Sequence, residues 1–128
     1  MAAPFIYVST YEVAEGRLDD ARRSLAEHAE FVEANEPRLI AFHFYLDPDS
    51  STVSIVQVHP DSASMDFHMQ LIAEHISSAM GDYLGAPVSA LVCGEGKETV
   101  ETIRSFSPDD PVRVAEEHIA GFTRTTAG

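Results

Sequence analysis

Two histidines on one predicted helix have the residue type and the spacing that could do chemistry. His68 and His75 are seven residues apart, so they lie on roughly one face of a helix, about 10.5 Å apart along its axis. That separation is too long for both side chains to bind one metal ion, and we expect no metal. A neutral imidazole titrates near neutral pH and could take a proton from an acidic phenol or a 1,3-dicarbonyl compound. The alternative is that each histidine lies at the helix border and is hydrogen-bonded to the backbone.

A predicted hairpin precedes this helix and supplies an apolar surface. The run from Leu39 to Asp47 alternates as a strand, and the run from Val53 to His59 follows after a turn cluster. We predict a register with one strongly apolar face toward the helices, formed by Phe42, Phe44, Leu46, Val56 and Val58. Aromatic residues at these positions could stack on a flat ligand or form simple core.

The same register leaves a polar cluster on the other face of the hairpin. His43 and His59 become cross-strand neighbours there, together with Tyr45 and Gln57. We expect this cluster to lie in a partly hydrated interface between two subunits. If the two strand faces are reversed, these residues would instead line the pocket. The remaining histidines, His28 and His118, are expected to be structural or exposed.

Composition excludes several classes of function. The chain has 128 residues with a formal net charge of −13, which repels nucleic-acid phosphates and anionic membrane surfaces. No apolar run approaches the ~20 residues that span a bilayer, and the N-terminus lacks the basic region of a signal peptide. We therefore expect a cytoplasmic protein that binds neither nucleic acid nor membrane. Cys93 is the only cysteine, so a disulfide within the chain is impossible.

The hydrophobic pattern predicts an α+β domain with the element order β-α-β-β-α-β, a ferredoxin-like arrangement. An antiparallel sheet with both helices on one face is the economical solution, and it leaves the other sheet face to a partner. The predicted elements are strands 5–13, 39–47, 53–59 and 87–93, a helix over 18–35, and a helix that begins after Asp61 or Ser62.

Residues 97–128 are predicted to form a C-terminal extension of a domain that spans residues 1–96. The pattern favours a short helix over 98–106 and a short strand at 112–114. The apolar segment from His118 to Phe122 should pack on the domain or on a partner subunit.

Several short motifs resemble the antibiotic biosynthesis monooxygenase family. They are Glu36-Pro37 after the first helix, Asp47-Pro48 at the hairpin turn, and His68 followed by His75. The similarity covers roughly residues 5–94. It implies a dimeric α+β barrel in which the sheets of two subunits face each other and the helices lie outside.

The resemblance also implies a function. Some members of this family are cofactor-independent oxygenases of aromatic polyketide or quinol-like substrates, which bind between sheet and helices. On that reading the homodimer binds a small aromatic ligand without a cofactor, and His68 and His75 are the catalytic groups. Deprotonation leaves an electron-rich carbanion that could pass an electron to oxygen. The expected substrate-binding residues are Phe42, Phe44, Val56 and Ile72.

Two other functions remain open from the sequence. One is a non-catalytic, small-molecule-binding or stress-related barrel protein, in which both histidines are satisfied by backbone partners. The other is a haem-binding or haem-degrading protein that uses His68 or His75 as the iron ligand. The absence of tryptophan argues mildly against the haem-degrading relatives, which commonly use one.

Overall fold

A computed structural model describes residues 3–75, 82–106 and 112–124. Within these residues five strands and three helices follow one another in the chain. They are β1 (Phe5–Val13), α1 (Leu18–Asn35), β2 (Ala41–Asp47), β3 (Thr52–His59), α2 (Ser62–His75), β4 (Leu84–Cys93), α3 (Lys97–Phe106) and β5 (Val112–Ala115). No helix of the described segments is long and apolar enough to cross a membrane.

The strands form a single sheet in the order β2-β3-β1-β4-β5. The first four are antiparallel to their neighbours, which confirms the predicted α+β, ferredoxin-like arrangement. Strand β5 extends the sheet by pairing parallel to β4. A parallel pair needs a crossover connection, and α3 lies in the segment that supplies it.

Helix α1 is amphipathic, and its buried stripe has the expected spacing. Ala21, Leu25 and Val32 are buried against the sheet, while the first turn carries two aspartates that suit the positive end of the helix dipole. The helix ends before Glu36 because Pro37 disfavours helical conformation in the residue that precedes it. The Glu36 N–H still donates to the Val32 carbonyl at 2.9 Å.

Helices α2 and α3 close one end of the core. The Asp61 carboxylate accepts a hydrogen bond from the Ser64 N–H at 3.0 Å, so the predicted cap of α2 is present. Apolar side chains from both helices pack with β1 and β4 in one buried cluster, formed by Phe5, Met65, Met69, Val92, Val100 and Ile103.

Strand β4 begins at Leu84, three residues before the predicted start. Pro87 lies inside it, opposite Tyr11, where the register between β1 and β4 shifts. A proline is tolerated at such an irregularity because a regular ladder hydrogen bond is already missing there.

The predicted register of the hairpin is wrong by one residue. Phe42 pairs with Gln57 and Phe44 with Ile55, whereas Val56 pairs with His43. Because side chains alternate along a strand, a shift of one residue moves every side chain of β3 to the other face. Val56 and Val58 therefore lie on the face away from the helices.

The same shift separates the predicted cluster of His43, Tyr45, Gln57 and His59. His43 and Tyr45 are exposed on the outer face, while Gln57 and His59 are buried on the helix-covered face. The alternative prediction, in which the two strand faces are reversed, is therefore right for β3 and wrong for β2.

Substitution of two phenylalanines, one buried and one exposed, tests the packing of the core. Phe5 is 1% exposed and Phe67, on the outer side of α2, is 49% exposed. We expect Phe5→Ala to lower the free energy of unfolding by about 3–5 kcal/mol, since it leaves a cavity in the core. The matched Phe67→Ala change should cost no more than about 0.5 kcal/mol. Urea unfolding of both variants measures the difference, and equal losses would contradict the described core.

Candidate active site

A cavity of about 400 Å³ lies between the sheet and the three helices. Its floor is the helix-covered face of the sheet and its roof is mainly the inner side of α2. The described part of its wall is mostly apolar, and its residues are Tyr7, Ser9, Tyr11, His28, Phe42, Ile55, Gln57, Met65, His68, Met69, Ile72, Ala73, Pro87, Ser89, Ala90, Ile103 and Val112.

A buried hydrogen bond between His68 and Glu36 borders this cavity. The His68 Nδ1 and Glu36 Oε2 atoms are 2.6 Å apart, and the two side chains are 7% and 2% exposed. When Nδ1–H donates to the carboxylate, the imidazole is fixed in the tautomer that leaves Nε2 with a lone pair. An oriented base at the wall of an apolar cavity is the arrangement that general-base catalysis requires.

The chain brings these two groups together from elements 32 residues apart. Glu36 follows Val32 by four residues and so extends the buried stripe of α1 by one turn, directly after the last residue of the helix. His68 lies on the inner face of α2 between Met65 and Met69, which are both buried. Packing of both helices on the sheet therefore positions the acid and the imidazole.

His59 belongs to a buried hydrogen-bond network next to His68, whose ring lies 5.9 Å away. Its Nε2 lies 2.9 Å from Gln57 Oε1 and its Nδ1 lies 2.7 Å from Ser64 Oγ. A neutral ring satisfies both contacts, since Nε2–H donates to the amide oxygen and Nδ1 accepts from the hydroxyl. Burial lowers the pKa of His59 from 6.5 to about 3, and the nearby His68 lowers it further in the same direction. This network leaves the amide nitrogen of Gln57 as a donor beside the cavity.

His28 lies on α1 and is buried, not exposed. Its ring stacks on Phe42 with centroids 5.7 Å apart and meets Phe44 edge-on at 5.5 Å. Burial lowers the pKa of His28 to about 4, with a smaller contribution from His68. Its Nδ1 has no hydrogen-bond partner.

Only some of the predicted catalytic and substrate-binding residues line the cavity. His68, Phe42 and Ile72 line the cavity. Phe44 packs behind Phe42, with ring centroids 5.0 Å apart, and faces a second groove beside α1. Val56 lies on the opposite face of the sheet, so its assignment to the pocket is wrong.

The other predicted catalytic group, His75, is the last residue of α2. Its side chain lies outside the part of the chain that the structure describes, and its role stays a prediction. Within that part, no group of three or more histidine, cysteine, aspartate or glutamate side chains could hold a metal ion.

Glu36, Ser9 and His28 were not predicted as site residues, and Gln57 was predicted to line the pocket only if the two strand faces are reversed. The sequence does indicate that Glu36 is buried, because its spacing from Val32 continues the buried face of α1. Ser9 and Gln57 also had a signal in the alternation of their strands, once the correct register is known. His28 is a polar residue within the buried stripe of its helix.

Comparisons with known proteins identify the fold. No protein-family model and no curated protein matches the sequence. Among solved structures, MupZ from Pseudomonas fluorescens is similar over 96% of both chains, with 19% identity and a TM-score of 0.75.

Two further structures carry the name of the family that the sequence motifs resemble. A candidate antibiotic biosynthesis monooxygenase from Caulobacter crescentus has 18% identity and a TM-score of 0.58, and the match covers 70% of this chain and 86% of that one. Another structure named antibiotic biosynthesis monooxygenase has 13% identity and a TM-score of 0.58, over 72% and 98% of the two chains. The resemblance is therefore confirmed at the level of the fold.

The lowered pKa values of His28 and His59 predict how stability depends on pH. An unfolded chain protonates these rings near pH 6.5, whereas the folded protein keeps them neutral down to about pH 4 and pH 3. Their stabilising effect is thus complete above pH 6.5 and is lost as the pH falls through that value toward 3.

We expect unfolding at pH 5 to take up about one proton fewer in His28→Phe than in the wild type. The phenylalanine keeps the ring contact with Phe42 but cannot titrate. Urea unfolding between pH 4.5 and pH 7.5 gives the proton uptake from the slope of the free energy. Identical slopes in the two proteins would contradict the buried neutral state of His28.

Proposed function

We propose that the protein is a cofactor-independent monooxygenase that acts on a small aromatic, quinol-like or polyketide-type substrate. The observation that carries this proposal is the buried pair of His68 and Glu36 at the wall of an apolar cavity. The monooxygenase names of structures with the same fold support the general kind of reaction.

In this proposal His68 is the general base. Its Nε2 takes a proton from a phenol or from an acidic C–H next to a carbonyl, and Glu36 stabilises the imidazolium that forms. The amide nitrogen of Gln57 can donate to the oxygen that gains negative charge, because the Gln57 oxygen already accepts from His59. The Phe42 ring, 5.4 Å from the ring of His68, offers a face on which an aromatic substrate can stack.

The oxidation then needs only the substrate and molecular oxygen. The phenolate passes one electron to O₂, and the substrate radical and superoxide combine to form a carbon–oxygen bond. Proton return from His68 gives a hydroperoxide, and loss of the ring hydrogen as a proton breaks the O–O bond and releases water. A phenol and one O₂ thus give a quinone and one H₂O, so atoms and electrons balance.

A conservative change at His68 tests this role. The side-chain amide of His68→Asn can keep the hydrogen bond to Glu36 but offers no base. We expect oxygen uptake with 1-naphthol and related phenols to fall by about 10²–10⁴-fold, as measured with an oxygen electrode and by quinone absorbance. Glu36→Gln keeps a hydrogen-bond acceptor and removes the charge, so it should give an intermediate loss.

The control is Gln70→Glu, an exposed position on the outer side of α2, which should react at the wild-type rate. Equal rates in wild type and His68→Asn would overturn the role of His68. Tight binding of naphthols without any oxygen uptake by the wild type would favour the non-catalytic binding protein instead.

We also propose that the protein is a homodimer whose two sheets face each other. Along β3 buried residues alternate with half-buried ones, because the helices cover only one face of the sheet. The uncovered face is apolar at its centre and carries Ile6, Val8, Val56, Val58 and Leu91. A second copy of this face would bury it in an isologous contact.

Exposed apolar side chains in the C-terminal extension also support a second copy of this chain as the partner. Ile119 is 89% exposed and Phe122 is 81% exposed, so neither is buried by its own subunit. Exposed apolar residues in an extended segment are the kind that an interface buries. In this proposal residues 116–124 pack on the second subunit.

A charge at the centre of the uncovered face tests the dimer. We expect Val56→Glu to turn a dimer into a monomer at micromolar concentration, since the dimer would bury two unpaired carboxylates. Light scattering after size-exclusion chromatography measures the mass. The control Thr102→Glu adds the same charge on the exposed side of α3 and should leave the mass unchanged, and a monomeric wild type would contradict the proposal.

A further inference from the structure

Two buried polar atoms of the cavity wall have no hydrogen-bond partner. They are Ser9 Oγ and His28 Nδ1, and their residues are only 2% and 5% exposed. A buried polar group without a partner costs roughly 1–3 kcal/mol, and native proteins keep few of them. Both residues line the same cavity, so a bound molecule is the partner that the fold itself does not supply.

Ser9 on β1 and His28 on α1 approach the cavity from other elements than His68, which lies on α2. Ser9 lies at the middle of β1, opposite Ile55, and Gln57 is its diagonal neighbour on β3. Diagonal neighbours in a sheet are about 7–8 Å apart, a distance comparable to the length of a bicyclic aromatic ring system. His28 also lines the cavity, and its ring stacks on Phe42, whose ring lies 5.4 Å from the ring of His68.

The charge of the cavity limits what can bind there. Among the described residues that line it, none is a lysine, an arginine, an aspartate or a glutamate. His28 stays neutral at physiological pH because burial lowers its pKa to about 4. An anionic ligand would enter this cavity without a counter-charge, which is costly in an apolar environment.

We infer that Ser9 and His28 form a second polar subsite, which binds an uncharged oxygen function of the substrate remote from the atom that His68 deprotonates. The inference rests on the proposed function for the role of His68, and it names the substrate class more narrowly. The substrate is a neutral, planar aromatic compound with two separated oxygen functions, hydroxyl or carbonyl.

Both groups have the right hydrogen-bonding capacity for such a ligand. The Ser9 hydroxyl can donate to a carbonyl oxygen or accept from a hydroxyl group. A neutral imidazole presents either an N–H or a lone pair at Nδ1, depending on its tautomer. The subsite therefore accepts a hydroxyl or a carbonyl group and disfavours a carboxylate.

Ligand fluorescence tests the subsite directly, since the protein has no tryptophan to obscure naphthol emission. We expect the wild type to bind the best of several dihydroxynaphthalenes about three- to tenfold more tightly than 2-naphthol, the effect of one neutral hydrogen bond. That ratio of affinities should fall to near one in Ser9→Ala and in His28→Phe. A hydroxynaphthoate should bind more weakly than the matching diol.

The control is Ser54→Ala, whose hydroxyl pairs with Thr10 at 2.8 Å on the opposite face of the sheet. It should keep the wild-type ratio. An unchanged ratio in Ser9→Ala, no preference in the wild type, tighter binding of the hydroxynaphthoate, or no binding of any naphthol would each overturn the subsite.

The affinity ratio does not depend on oxygen uptake, so the two proposals can fail separately. His68→Asn should retain the preference for diols while it loses oxygen uptake. A ratio that collapses in Ser9→Ala, together with a wild type that consumes no oxygen, would keep the subsite and remove the monooxygenase.

Discussion

The buried hydrogen bond between Glu36 and His68 is the interaction on which the candidate site depends. Removing a carboxylate from water is expensive, and the cost is offset only when a well-placed partner receives it. Glu36 reaches the interior because Pro37 ends α1 one turn after the last buried apolar residue. His68 reaches it because α2 packs with two methionines on the sheet. The pair thus ties the end of one helix to the middle of another, and neither group would be tolerated in the core alone.

Around that pair the buried polar atoms separate into two kinds. Gln57 and Ser64 satisfy both ring nitrogens of His59, and this network holds the imidazole and the Gln57 amide in fixed orientations. Ser9 Oγ, His28 Nδ1 and Glu36 Oε1 have no hydrogen-bond partner among the described residues, and Ser9 and His28 line the cavity. A fold that completes some of its buried hydrogen bonds and leaves others open at a cavity wall is preorganised for a ligand. The hydrogen-bonded groups give rigidity, and the groups without a partner are available for recognition.

Sequence periodicity predicted the elements well and the site only in part. Helix α1 and strand β1 were predicted with the observed bounds because long periodic segments determine their own faces. The register of the hairpin was not determined in this way, since a shift of one residue in β3 exchanges its two faces. Polar residues were assigned outward by default, so Gln57 and His59 were placed between subunits. The hydrogen bonds of His59 to Gln57 and Ser64 offset the free-energy cost of burying these groups, and they depend on tertiary contacts.

The C-terminal extension limits what the similar structures indicate about the function of this chain. Ile103 of α3 and Val112 of β5 both line the cavity, so the extension contributes part of the wall. The monooxygenase structures match 70–72% of this chain, whereas the match to MupZ covers 96% and necessarily includes most of residues 97–128. A protein that shares only the four antiparallel strands and the first two helices would lack the part of the pocket wall that Ile103 and Val112 form here. The shape of the ligand must therefore be argued from this chain's own cavity wall, while the shared fold accounts for where that cavity lies.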